Sequence, residues 1–260
     1  MLALSERQER IRELLSANGR LSVARLTGHL RVASMTIRRD LTLMEQAGLL
    51  TRTHGGCVLQ SPFVAELSFP QKQQLRQLQK SAIAQAVVRC LRPGEAIYLD
   101  SGTTALRIAR ILPPRLNVRV FTNNLRVAME LFGRVGVEVV VYGGVLATKN
   151  PDLVAEIALA QIGQYRLDLA IVGGDALDVA RCEFYGADTG TALLSQAAQR
   201  QADRVIVVID SSKFGKRSLA VAGKLTRGMT LITDDEVRAA DRVDLRRTGA
   251  EIVYARTGGD

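Results

Sequence analysis

Seven short runs rich in β-branched residues, separated by helix-length segments, constrain this chain more than any other feature: Ala96 to Leu99, Val118 to Phe121, Val137 to Tyr142, Leu169 to Val172, Val205 to Ile209, Met229 to Ile232 and Ile252 to Tyr254. Strands that alternate with helices build a parallel sheet with both faces covered, because each crossover returns through a helix that packs on the sheet. The spacing predicts an α/β domain over residues 80–260. In open sheets of this kind ligands lie beyond the carboxyl ends of the strands, so the residues that directly follow each run are the candidates for chemistry.

Those residues are polar in a consistent way. The first run is followed by Asp100-Ser101-Gly102-Thr103-Thr104 and then a helix from Ala105, so free N–H groups, two threonine hydroxyls and a positive helix end converge, as a phosphate cradle requires. Neither a Walker loop nor G-x-G-x-x-G follows the strand, which points to a single phosphate rather than a nucleotide. Thr122-Asn123-Asn124 and Gly143-Gly144 follow the second and third runs, where amides bind sugar hydroxyls and glycines admit a ligand close to the backbone. The fourth leads to Gly173-Gly174-Asp175, and the fifth to a loop carrying Lys213, a cation that can sit against an anion.

The first 60 residues follow another rule. Ile11, Leu14 and Leu15 keep helical spacing up to Asn18-Gly19, a second stripe follows with Val23, Leu26 and Leu30, and a third helix is expected at about 34–47. On that helix Ile37, Leu41 and Met44 stand at i, i+4 and i+7 and must face a core, which turns Met35, Arg39 and Thr42 outward with Arg38 on the flank. The long stem of Arg38 reaches either a phosphate or a guanine edge. Ser34 and Thr36 lie at the helix start, where hydroxyls and free N–H groups meet phosphate. Beyond Gly48, two short strands around Gly55-Gly56 make a wing bearing Arg52 and His54. This is a winged helix-turn-helix, whose later helix enters the major groove. Residues 61–79, with Ser61, Pro62, Pro70 and a glutamine-rich run, read as a linker.

Thr36 to Leu41, Gly48 and Arg52-Thr53-His54-Gly55-Gly56 together resemble the signature of the DeoR family of bacterial regulators of sugar metabolism. One departure is Ala33, where that family often has a capping serine, a role expected here to pass to Ser34. The second half resembles the DeoR sensor domain, whose fold is similar to ribose-5-phosphate isomerase. The resemblance implies that Asp100 to Thr104 hold the phosphate of an effector, that Thr122, Asn123, Gly143 and Gly144 line its sugar, and that Lys213 closes the pocket. It also shows a difference: where the family commonly carries acidic and basic residues on a helix, this chain has Thr191-Ala192-Leu193-Leu194-Ser195.

Composition narrows the remaining classes. A net charge of +9 favours a polyanionic partner. Cys57, Cys90 and Cys182 are an odd number without a C-x-x-C pair and read as reduced thiols in the cytoplasm; no apolar run reaches the ~20 residues of a membrane span. Two separated histidines, His29 and His54, argue against a histidine metal site and against triad chemistry, and no cofactor is expected. The expectation is a non-enzymatic repressor that binds double-stranded operator DNA as a dimer or tetramer and is released by a phosphorylated sugar. The rival is an isomerase-like enzyme with an appended head, for which Asp100, Asp175 and Lys213 are the acid/base candidates. Structural DNA compaction would need only the charge and would leave the strand-end residues without a role.

Overall fold

Every one of the seven runs becomes a strand, and the seven pair in parallel in a single sheet. The computed structural model describes residues 5–18, 20–46, 50–53, 55–59 and 67–258, and the chain divides into two units, residues 1–62 and 63–260.

The first unit comprises α1 (Glu6–Asn18), β1 (Arg20–Ser22), α2 (Val23–Leu30), α3 (Ser34–Gln46), β2 (Leu50–Thr53) and β3 (Gly56–Leu59). Its core gathers Ile11, Leu15, Leu26, Leu50 and Cys57 around Ile37, Leu41 and Met44, so the stripe on α3 faces inward as its spacing requires. A bidentate ion pair from Arg7, with Nε 2.5 Å and Nη2 3.2 Å from the two oxygens of the buried Asp40, ties α1 to α3. Strand β1 has no counterpart in the sequence reading, which passes from the first helical stripe to the second. Leu21 pairs with Cys57 of β3, and Ser22 caps α2 by accepting from the Arg25 N–H at 3.2 Å. A three-residue strand exists only because a distant partner offers its edge, and local periodicity carries no trace of that partner. The cap of α3 also differs: the Ala33 carbonyl accepts from the N–H groups of Thr36 and Ile37, which makes Ala33 the capping residue and places Ser34 inside the first turn.

The second unit opens with α4 (Phe69–Gln74), α5 (Gln77–Arg89), β4 (Ala96–Leu99), α6 (Thr103–Ile111), β5 (Val118–Thr122), α7 (Leu125–Leu131) and β6 (Val137–Val141). A short hairpin, β7 (Val145–Leu146) and β8 (Leu153–Val154), precedes α8 (Glu156–Ile162) and β9 (Leu167–Gly173). There follow β10 (Ala176–Asp178), β11 (Glu183–Gly186), α9 (Thr189–Gln201), β12 (Ala202–Val208), β13 (Ala220–Lys224), β14 (Met229–Asp234), α10 (Ala239–Leu245) and β15 (Glu251–Ala255). Strands β10, β11 and β13 form a small antiparallel sheet of their own.

Along each central strand the side chains alternate between two cores. Ile97, Leu99, Leu169, Ile171, Ile206 and Val208 enter one with α5, α6 and α7, whereas Tyr98, Ala170, Val172, Val205 and Val207 enter the other with α8 and α9. Both faces are covered, which is why the strands read as apolar runs rather than as an alternation of apolar and polar residues. The strand order is β15-β14-β12-β9-β4-β5-β6. From β4 the chain moves outward through β5 and β6, and from β9 it moves the other way through β12, β14 and β15. The order thus reverses between β4 and β9, and their loops part there to leave a crevice.

Part of the expected linker is folded. Ser68 and Gln71 hydrogen-bond at the start of α4, and Phe69 is buried in the core of the sheet unit. The Lys80 ammonium, also buried, donates to the carbonyls of Lys72 and Leu75 at the end of α4. The glutamine-rich composition concealed a helix whose hold on the domain comes from one aromatic ring and one buried cation.

Candidate functional site

On α3 the outward side chains are those the periodicity assigned. Ser34, Arg38 and Arg39 are exposed, Thr36 is half-buried, and Met35 is 76% exposed. Arg52, on β2, is exposed and donates from Nη1 to the Thr42 hydroxyl of α3 at 3.0 Å, while its backbone N–H reaches Glu45 at 2.8 Å. The wing is thereby fastened to the outward face of α3, with the Arg52 charge held beside the third turn of that helix. His54 and Gly48 lie outside the described residues.

In the sheet unit a polar cavity lies at the reversal point, beyond the ends of β4 and β9. Its floor is the loop from Asp100 to Thr104. Gly102 takes φ +104°, a conformation that L side chains rarely adopt, and this turns the chain directly into α6, whose first carbonyl-to-amide bond runs from Gly102 to Leu106. The N–H groups ahead of Leu106 have no acceptor within the helix, so the start of α6 presents donors and a positive dipole end beside Thr103 and Thr104.

Both carboxylate oxygens of Asp100 have partners within the protein. One oxygen accepts from the Ser101 N–H at 2.8 Å and the Tyr98 hydroxyl at 3.2 Å, and the other from the Gly173 N–H at 2.9 Å. It clamps the ends of β4 and β9 together. Burial lifts its carboxyl to about 7, against the pull of the Gly173 and Ser101 N–H groups.

Two lysines line the cavity. Lys213 stands on the short turn Ser211–Lys213, capped by Asp210, and donates to the Gly174 carbonyl at 2.5 Å. Lys72 comes from α4, in the segment read as linker, and its Nζ lies 2.8 Å from Asp175. Burial disfavours the Asp175 carboxylate, but Lys213 and Lys72, together with the Ala187 N–H, outweigh it and hold the carboxyl below its usual range. Asp152, Asp188, Thr191 and Ser195 also line the cavity. Asp188 caps α9 by accepting from the Thr191 N–H at 2.8 Å, so the stretch that departs from the family pattern places small hydroxyls against the cavity. Asp152 is buried and receives the Asn124 amide at 2.5 Å; burial raises its carboxyl to about 6 against that hydrogen bond, and Asp188 raises it further.

Asp100, Ser101, Gly102, Thr103, Thr104 and Lys213 therefore share one cavity, and five other expected residues do not line it. Thr122, Asn123 and Asn124 are fully buried. The Thr122 hydroxyl accepts from the Asn124 N–H, and Asn123 joins the Tyr98 hydroxyl to the Leu153 carbonyl. Asn124 caps α7 through the Val127 N–H at 2.9 Å. Gly143 donates to the Gln161 side chain, and Gly144 has φ +149° with its α-carbon packed so closely on β8 that an added Cβ would stand 2.2 Å from the Val154 carbonyl. The close approach that Gly144 allows is thus to strand β8. The sequence reading missed Lys72, Asp152, Asp188, Thr191 and Ser195, because each lies away from the strand ends on which it relied. The cap signal at Asp188 was legible, but its position over the cavity was not.

A winged helix with outward arginines, carried on the same chain as a parallel α/β unit with a cavity at its reversal point, defines a DNA-binding regulator with a sensing domain. Residues 7–63 match the DeoR-like helix-turn-helix domain and residues 76–235 the DeoR C-terminal sensor domain. The chain belongs to the DeoR family of transcriptional regulators. It is 34% identical over 255 residues to a putative aga operon transcriptional repressor of Escherichia coli O157:H7, covering 96% of this chain and 93% of that protein. It is 33% identical over 233 residues to the transcriptional repressor AccR of Agrobacterium fabrum, covering 90% of each. The glycerol-3-phosphate regulon repressor of Escherichia coli K12 is 29% identical, with 88% of this chain and 90% of that protein covered. Ribose 5-phosphate isomerase A of Methanocaldococcus jannaschii aligns with a TM-score of 0.40 and 19% identity over 53% of this chain and 54% of that one. Family membership makes the chain a regulator rather than an isomerase. Of the three acid/base candidates of the rival reading, Asp100 accepts three hydrogen bonds and Asp175 is paired with Lys72.

Proposed function

We propose that the chain is a cytoplasmic repressor of sugar-metabolism genes and that a phosphorylated sugar in the cavity weakens its hold on operator DNA. The observation that carries this reading is the composition of the cavity lining. It gathers the α6 N-terminus, the hydroxyls of Ser101, Thr103 and Thr104 and the ammonium groups of Lys72 and Lys213 with the carboxylates and hydroxyls of Asp152, Asp188, Thr191 and Ser195. Donors and a cation suit a phosphate, and acceptors suit the hydroxyl groups of a polyol. The names of the relatives, repressors of an aga operon and of a glycerol-3-phosphate regulon, support the same class of control.

In residues 1–60, Arg38, Arg39 and Arg52 would meet operator DNA, with Ser34 and Thr36 at the helix start on phosphate and His54 on the wing. The effector would favour the arrangement that does not bind DNA by about 1–3 kcal/mol. A single head reads one half-site, so the working form is a homo-oligomer joined through the sheet unit. The exposed Met129, Phe132 and Val135, on α7 and the turn into the edge strand β6, are among the apolar side chains that could serve that contact.

The test is fluorescence anisotropy on DNA from upstream of the chain's own gene, at fixed salt, with and without a panel of phosphorylated sugars. Sequence-selective binding that one sugar phosphate weakens supports the reading. Selective binding that none of them alters removes the cavity from it.

A further inference from the structure

Helix α4 has six residues, too few to persist alone, and its contacts converge on the rim of the cavity. Phe69 anchors its start in the core, with the Arg126 guanidinium 5.2 Å from the ring centroid. Lys80 holds its end by the carbonyls of Lys72 and Leu75. Arg76, just beyond, donates to Ser211 at 2.9 Å and Glu236 at 2.7 Å, and Ser211 begins the turn that carries Lys213. Between these anchors Lys72 reaches across to Asp175 at 2.8 Å, with both side chains about one-fifth exposed, at 19% and 20%. Asp175 feels the charge of Lys213 as well, and Lys72, Asp175, Lys213 and the start of α6 all line the one cavity. An anion bound there competes with Asp175 for the Lys72 ammonium.

We propose that Lys72 is the residue by which an anionic ligand in the cavity takes hold of α4, so that occupancy is felt in the segment of chain that leads from the DNA-reading unit into the sensor. This rests on the reading of the cavity as a phosphate site. Lys72 exchanges or shares its carboxylate partner with a phosphate oxygen, forming a charge-assisted hydrogen bond, and α4 is drawn against the cavity. Lys213 supplies affinity from a turn of the sheet unit. Lys72 supplies affinity and also transmits it, because the element it moves is the first helix after the head in chain order.

Hydrogen–deuterium exchange on the full chain with inorganic phosphate separates these ideas. In the wild type, phosphate is expected to slow exchange both at residues 101–106 and at residues 69–76, the latter about tenfold. In Lys72→Gln the slowing at 101–106 persists at higher phosphate and that at 69–76 is lost. In Lys213→Gln both need more phosphate, and both recover at saturation. Asp175→Asn, which keeps an acceptor for the Ala187 N–H, is expected to speed exchange at 69–76 without any phosphate. Protection at 101–106 with no response at 69–76, or an equal response in Lys72→Gln, overturns the role of Lys72 and leaves the phosphate site standing. No protection at 101–106 overturns the phosphate site, and the transmission proposal with it.

Discussion

Arg38 and Arg39 are neighbours on a single turn of α3, and only the helix is needed to present them together. Asp100, Asp175 and Lys213 follow three different strands and meet because β4, β9 and β12 are adjacent in the sheet. The two regions also treat polar side chains differently. The reading surface leaves its arginines exposed, where they cost the fold little, whereas the sheet unit buries Asp100, Asn123, Asn124 and Asp152 and must satisfy each with hydrogen bonds. A polar residue on the head is thus available for a partner, while a buried one in the sheet unit is first of all part of the scaffold.

That contrast can be broken by mutation. The largest effect is expected from Arg38→Ala/Arg39→Ala, which should weaken operator binding about thirtyfold or more, at about 1–3 kcal/mol per arginine, with an unchanged melting temperature. A matching loss of stability would show these side chains to be structural as well. Next is Gly144→Ala, where positive φ and the approach to Val154 should cost about 3 kcal/mol in denaturant unfolding. A ligand-lining glycine would lose effector affinity instead. Asn124→Ala removes the α7 cap and a hydrogen bond to Asp152, for a loss of about 2 kcal/mol. Its counterpart, Lys213→Gln, should lower effector affinity about tenfold in calorimetric titration with little change in stability. If the two variants exchange phenotypes, the division of the strand-end residues into scaffold and cavity is wrong.

The smallest effect is one of pH. Asp152 titrates near 6 in the fold against an ordinary value of 3.8, so the folded chain takes up a proton as pH falls through that window. Burying the charged form costs stability above about 6, and the cost fades as pH falls toward 4. Asp152→Asn, which retains the acceptor for Asn124, should therefore melt higher than the wild type at pH 8, with the gap narrowing by pH 5. A gap independent of pH would mean that Asp152 is not the group responsible.

Sequence alone determined what repeats locally. The inward stripe Ile37, Leu41 and Met44, with the outward arginines it implies, follows from helical geometry, and the seven strands follow from their β-branched runs. The loop from Asp100 to Thr104 was legible for the same reason, since strand, glycine turn and helix start are contiguous. Tertiary structure decided the rest. Strand order placed the cavity between β4 and β9; close packing on Val154 gave Gly144 its role, and capping gave Asn124 its own. Lys72 entered the cavity because a polar segment, unremarkable in composition, is pinned there by Phe69 and Lys80. Periodicity tells which way a side chain points along its own element, but which element stands opposite is settled by long-range packing, and so is what a buried polar group must bond to.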